Sequence, residues 1–170
     1  MKRHGFIALV AAILGLGFFP AAGCERRITA ENPIAVRPIG TVERADGKTT
    51  IVLEKRYAPG LLGLDGFSHI HVLYWFDQND TAEKRSILQV HPRGDRNNPL
   101  SGVFATRSPT RPNLIALSLC NLVEVRGNMV EIDRIDAFDG TPVLDIKPYI
   151  HGTDAAEARH PEWLTREGGP

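Results

Sequence analysis

Several groups of polar residues in this sequence have types and spacings suited to chemistry. Thr106-Arg107-Ser108-Pro109-Thr110-Arg111-Pro112-Asn113 holds two arginines between backbone-restricting prolines. An arginine fork such as Arg107, beside the Ser108 hydroxyl, is matched to a carboxylate ligand. Asp136-Ala137-Phe138-Asp139-Gly140 sets two carboxylates around an aromatic ring and ends in a glycine. Asp145-Ile146-Lys147-Pro148-Tyr149 collects a carboxylate, an amine and a phenol, and His91-Pro92-Arg93-Gly94-Asp95 collects an imidazole, a guanidinium and a carboxylate. His69 and His71 share one face of a strand and, with a further ligand, could bind zinc. No third ligand is spaced to join them, so ordinary packing is the better reading and no metal is assigned. The plain alternatives elsewhere are an Asp-Gly turn with capping carboxylates at Asp136 and Asp139, and a loop that Arg111 and Asn113 fix for themselves.

The elements that position these groups are strands. The segments 106–113, 136–142 and 145–149 read as three polar turns, each beside an apolar, β-branched run. Ile115–Val125 and Met129–Ile135 lie between them, with apolar residues at or near every second position. Upstream, Val36–Val42 reads as a first strand, Ala45-Asp46-Gly47-Lys48 as a hairpin turn and Thr49–Glu54 as the returning strand. Tyr57–Gly66 is a glycine-rich connection with a helical turn near Leu61–Leu64. Ser68–Phe76 is the most hydrophobic segment after residue 23 and is expected to be a central strand. Thr81–Arg85 reads as a polar link, and Gly102–Ala105 as a short strand. Beyond Tyr149 periodicity fades, with one helical turn expected over Ala155–Arg159 and a flexible tail over 151–170. The sequence has no internal repeat, no second-domain boundary, and no G-x-G-x-x-G, P-loop, G-x-S-x-G or H-E-x-x-H signature.

The blocks GVFATRSPTRPN, DAFDGTPVLDIKPYI and HPRGD resemble those of the TsaA-like, or TrmO, family, in the family's order and over about residues 38–150. The resemblance implies an all-β, mainly antiparallel domain over 36–150, a small single barrel with short helical connections. It implies methylation of N6 of threonylcarbamoyladenosine in tRNA, with S-adenosylmethionine as cofactor and a homodimer whose cofactor lies near the subunit contact. Carried over by position, it puts the cofactor against Gln78, Arg107, Ser108, Leu117, Arg134, Ile135, Asp136 and Ala137. Leu117 and its neighbours are the expected apolar wall, and Phe138 an aromatic facing adenine. Arg93 and Lys147 are placed on the substrate side, with Asp145 or Tyr149 orienting or deprotonating the attacking nitrogen.

The start of the chain points elsewhere. Lys2 and Arg3, the uncharged run Phe6–Phe19 and then Ala21-Ala22-Gly23-Cys24 have the layout of a lipoprotein signal over 1–23. Cys24 is then the lipidated first residue, holding the protein to a membrane, with 24–35 as a polar tether. A start codon assigned too far upstream, in a cytoplasmic protein, is the competing explanation. Without Lys2 and Arg3, 18 of the 20 basic residues face 20 acidic ones, a net charge of −2 over 147 residues. Such a balance gives no global attraction to nucleic acid. RNA binding therefore needs a local patch, for which Arg85, Arg93, Arg96, Arg107 and Arg111 are candidates. Cys120, in an apolar strand, is expected to be a small core residue rather than a catalytic thiol. Two functions follow: a methyltransferase, or an exported, lipid-anchored binding module that reuses the barrel for another small molecule or a partner protein.

Overall fold

Alternation of apolar and polar residues with a period of two closes this chain into a barrel. The structure, a computed structural model, describes residues 34–164; the signal, Cys24, most of the tether and the last residues of the tail lie outside it. The chain divides after Ala35, and every strand and helix of the described residues lies in the unit from Val36 onward. In order these are β1 (Gly40–Ala45), β2 (Lys48–Leu53), β3 (His69–Trp75), α1 (Ala82–Ser86), β4 (Gln89–Val90), β5 (Ser101–Gly102), β6 (Ile115–Arg126), β7 (Met129–Ile132), β8 (Pro142–Pro148) and α2 (His151–Asp154). Short 3-10 turns fill several connections, including Lys55–Leu61, Leu64–Gly66 and Val103–Ala105.

Six strands form a closed, wholly antiparallel barrel in the order β1-β2-β7-β6-β3-β8, while β4 and β5 make a separate two-stranded ribbon. Closure removes the exposed edges an open sheet would present. β3 lies between β6 and β8, the central place expected of it. Its Ile70, Val72 and Tyr74 point inward and are buried, and they pack with Val42, Ile51, Ala116, Cys120, Val130 and Val143. The β1–β2 hairpin turns through Asp46 (φ 52°) and Gly47 (φ 75°), the positive-φ pair that a two-residue turn demands.

Five local expectations are corrected. The first strand begins at Gly40 rather than Val36; Gly40 lies so close to β2 that a side-chain carbon there would stand 2.7 Å from Leu53 Cα. Thr81–Arg85 is no mere link, because Thr81 Oγ1 accepts a hydrogen bond from Lys84 N (3.2 Å) and caps α1. Gly102–Ala105 is not a strand, since β5 ends at Gly102 and Val103–Ala105 coils into a 3-10 turn. Asp145–Pro148 is not a turn but the second half of β8; its prolines take the first and last positions, where a missing N–H is tolerated. The helical turn of the tail comes earlier than Ala155–Arg159, as α2, where Asp154 Oδ2 accepts from Ile150 N at 2.6 Å. No helix among the described residues is long and apolar enough to cross a membrane.

Candidate functional site

Where β3 runs out, the chain continues through Phe76 into a 3-10 turn at Asp77–Asn79, and a cleft of about 230 Å3 opens there. Trp75, Phe76 and Gln78 form one side of it. Arg107 and Pro109 come from the loop before β6, and Asp136, Ala137 and Phe138 from the segment between β7 and β8. An open groove of about 500 Å3, bordered by Ser118, Leu119, Arg134 and Ile135, shares Arg107 and Asp136 with the cleft. Together the two fall in the range of roughly 300–1,000 Å3 usual for small-molecule sites. Their linings combine aromatic rings, a guanidinium and a carboxylate.

Hydrogen bonds fix each wall. Tyr74 is buried, and burial pushes its hydroxyl above the ordinary tyrosine range, so it stays protonated and donates to Asp136 O at 2.7 Å. Ser118 Oγ lies 3.2 Å from the same hydroxyl. Arg44, from β1, reaches across the 135–137 segment: its Nη2 donates to Ile135 O (2.7 Å) and Ala137 O (2.9 Å), and its Nε donates to Ala137 O (3.2 Å). Arg44 N donates to Asp139 Oδ1 at 2.8 Å, and Gly140 (φ 79°) completes the turn. Asp139 thus stands in an Asp-Gly turn, and its carboxylate ties that turn to β1. With the carbonyls of 135–137 engaged, the Asp136 side chain is left facing the cleft.

The 106–113 loop is fixed the same way. Arg111 Nη2 donates to Val103 O (2.7 Å) and Thr106 O (2.8 Å), which bears out its expected role in its own loop. Ser108 takes up its own loop as well, donating through N to Thr106 Oγ1 and accepting at Oγ from Thr110 N, both at 3.2 Å. Arg85 donates to Pro112 O (2.8 Å) and Asp80 Oδ1 (2.7 Å), and its guanidinium lies 5.3 Å from the Trp75 ring centre. The hydrogen bonds from Arg85 and Trp75 hold the Asp80 carboxyl below its ordinary range. Arg85 and Arg111 are therefore framework and leave the expected basic patch. Arg93, Arg96 and Arg107 remain, exposed and without an ion pair to any described residue.

Of the residues expected at the cofactor, the structure brings Gln78, Arg107, Asp136 and Ala137 to the cleft, and Arg134 and Ile135 to the groove beside it. Ser108 lines neither. Leu117 lines neither: it sits on the outer face of β6, opposite Leu73, while its neighbours Ser118 and Leu119 border the groove. Tyr74, Trp75, Phe76 and Arg44 were not anticipated. The first three continue the hydrophobic run of β3, which was the signal that could have found them.

Asp145, Lys147 and Tyr149 line neither cleft nor groove. Asp145 and Lys147 pair at 2.8 Å on the outer face of β8, opposite Leu73 and His71. Tyr149 follows at the far end of β3 from Trp75, its N donating to His69 O (3.0 Å). Its ring centre lies 6.0 Å from that of His69 and 5.7 Å from that of His71. His91 and Asp95 shape the loop around Arg93: His91 Nδ1 meets Asn98 O at 2.8 Å and Asp95 Oδ1 accepts from Asn97 N at 2.8 Å. Arg93 itself is in the left-handed region, φ 60°.

Cys120 is 1% exposed, and burial pushes its thiol up to about 12. Only the thiolate is an effective nucleophile. Iodoacetamide at pH 8 should therefore leave Cys120 unmodified in native protein and alkylate it in guanidinium chloride. Rapid labelling of native protein at this residue would contradict its place in the core.

A closed antiparallel barrel with a half-open, aromatic-lined cleft at the end of its central strand is unrelated to doubly wound nucleotide-binding sheets. Residues 34–155 match the family described as tRNA-methyltransferase O N-terminal domain, and the chain belongs to that family. It is 47% identical over 119 residues to a Methanocaldococcus jannaschii protein named "Probable S-adenosyl-L-methionine-binding protein", covering 70% of this chain and 94% of that one. It is 45% identical over 97 residues to the mouse tRNA (adenine(37)-N6)-methyltransferase, covering 57% of this chain but 22% of the mouse protein. The crystal structure of TrmO from Pseudomonas aeruginosa superposes with a TM-score of 0.58 at 30% identity, over 75% of this chain and 61% of that one. The chain thus spans about three-fifths of that structure and about a fifth of the mouse enzyme.

Proposed function

We propose that this protein is a methyltransferase that uses S-adenosylmethionine and acts on N6 of an adenine nucleoside in tRNA, threonylcarbamoyladenosine being the expected form. The observation that carries the proposal is one cleft lined by Asp136 and by Arg107, which has no ion pair to any described residue, together with Trp75, Phe76 and Phe138. That donor set fits an amino-acid carboxylate at one end, ribose hydroxyls at the carboxylate and a purine against the rings. S-adenosylmethionine, when bound, supplies an electrophilic methyl on a sulfonium. The protein's own contribution to such a displacement is alignment and electrostatics. Arg107 grips the carboxylate, Gln78 and Asp136 bind polar groups, and the rings exclude water. Tyr74 and Arg44 keep the 135–137 segment from yielding.

Asp145 and Tyr149, assigned to the attacking nitrogen, line neither the cleft nor the groove of their own chain. In this reading the active form is a homodimer, and these residues serve the cleft of the other subunit. An experiment follows. Arg107→Ala and Tyr149→Phe, each inactive alone toward threonylcarbamoyladenosine-containing tRNA with labelled S-adenosylmethionine, should regain about a quarter of wild-type activity when co-refolded. No recovery from mixed dimers would place Tyr149 outside catalysis or inside its own chain's site.

The N-terminal sequence favours a second reading, in which Cys24 anchors an exported binding module. Palmitate labelling of the wild type but not of Cys24→Ala, with the domain outside the cytoplasm, would support it. Labelling with the domain on the cytoplasmic face fits an anchored methyltransferase.

A further inference from the structure

The excursion between α1 and β6 carries a residue that neither the cleft nor the core uses. Phe104 is 82% exposed, between a buried Val103 and the exposed Ala105. Single exposed aromatics are ordinary on protein surfaces. The backbone under this one is not ordinary. Arg111 binds Val103 O and Thr106 O, the two carbonyls that bracket the turn, and Thr106 Oγ1 donates to Val103 O at 3.0 Å. Val103 N donates to Leu88 O at 3.0 Å. A partly buried guanidinium thus holds rigid a turn whose apolar ring points into water. Phe104 also lies three residues before Arg107, so their Cα atoms are at most about 11 Å apart.

Charge says what the ring meets. Between residues 86 and 113 stand four arginines, Arg93, Arg96, Arg107 and Arg111, against a single acid, Asp95. Leu88 and Leu100, more than half exposed, are on the same excursion, so a second copy of the chain is a rival occupant. A two-fold contact centred on Phe104 would, however, set this basic segment against its own copy, which like-charge repulsion disfavours. A polyanion with unpaired bases suits both the charge and the ring, since bases stack on aromatic side chains regardless of their identity.

Resting on the methyltransferase reading, we infer that Phe104 is the stacking platform for an unpaired base beside the target adenine, with Arg93 and Arg96 on the flanking phosphates. Phe104 is a positioning residue and takes no part in methyl transfer.

The test measures binding of a fluorescent tRNA anticodon stem-loop to the intact protein by anisotropy, beside calorimetric affinity for S-adenosylmethionine. Phe104→Ala should weaken RNA binding about 5- to 150-fold, the span covered by stacking one base, and leave cofactor affinity unchanged. Phe104→Trp should restore binding to within about threefold, and Phe104→Leu should not. Unchanged RNA affinity in Phe104→Ala, equal rescue by leucine, or a change of oligomeric state on sedimentation would each overturn the inference, the last in favour of a second copy. The binding assay does not depend on turnover. A wild type that binds RNA through Phe104 yet transfers no methyl group would refute the methyltransferase reading and leave the stacking role standing.

Discussion

Replacing Arg44 by alanine is expected to weaken S-adenosylmethionine binding about ten- to a hundredfold, although Arg44 lines neither cleft nor groove. Its guanidinium holds Ile135 O and Ala137 O together through three hydrogen bonds of 2.7–3.2 Å. Bonds to a charged donor contribute about 1.5–3 kcal/mol each when well placed, but this side chain is partly exposed and the lower end applies. Without the clamp, the 135–137 carbonyls keep only the Tyr74 bond to Asp136 O, while the Arg44 N bond to Asp139 still ties down the following turn. Asp136 and Phe138 would then sample positions that do not face Arg107, and ordering them would weaken binding. Arg44→Lys should recover little, because an ammonium cannot fork across two carbonyls. Isothermal titration calorimetry reads the loss, and an Arg44→Ala protein with wild-type affinity would show that the clamp is decorative.

The second large effect is on folding. Arg111→Ala should lower stability by about 3 kcal/mol, seen as a reduced urea midpoint with unchanged slope. Two charge-assisted bonds disappear at once, and the Val103 carbonyl keeps only its bonds from Thr106 N and Oγ1. Val103 is fully buried, so loosening its turn disturbs packing as well as hydrogen bonding. A change below about 0.5 kcal/mol would mean that water replaces the guanidinium at no cost.

Neither arginine role could be read in full from the sequence, and the reason is physical. Arg111 binds within its own loop, at separations of 5 and 8 residues, so two flanking prolines were enough to suggest it. Arg44 meets its partners 91 and 93 residues away, on a strand joined to them only by barrel closure, and local spacing carries no trace of that. Strand interiors were legible wherever one face is buried, as at Ile70, Val72 and Tyr74. Asp145–Pro148 misled because proline and charge mark turns in general, whereas here both prolines occupy strand ends. The family blocks brought six of the eight expected cofactor residues to the cleft and its adjoining groove. They carry no trace of the hydrogen bonds that Ser108 makes inside its own loop, which depend on the local course of the turn.

The central claim is that the Arg107–Asp136 cleft binds S-adenosylmethionine, and calorimetric titration of residues 25–170 with that cofactor tests it most directly. Binding in the micromolar range is expected, weakened about 10- to 150-fold by Arg107→Ala through loss of its charged hydrogen bonds. No heat of binding at millimolar cofactor, in a folded sample checked as monomer and dimer, would contradict the methyltransferase account, as would an affinity that Arg107→Ala leaves untouched.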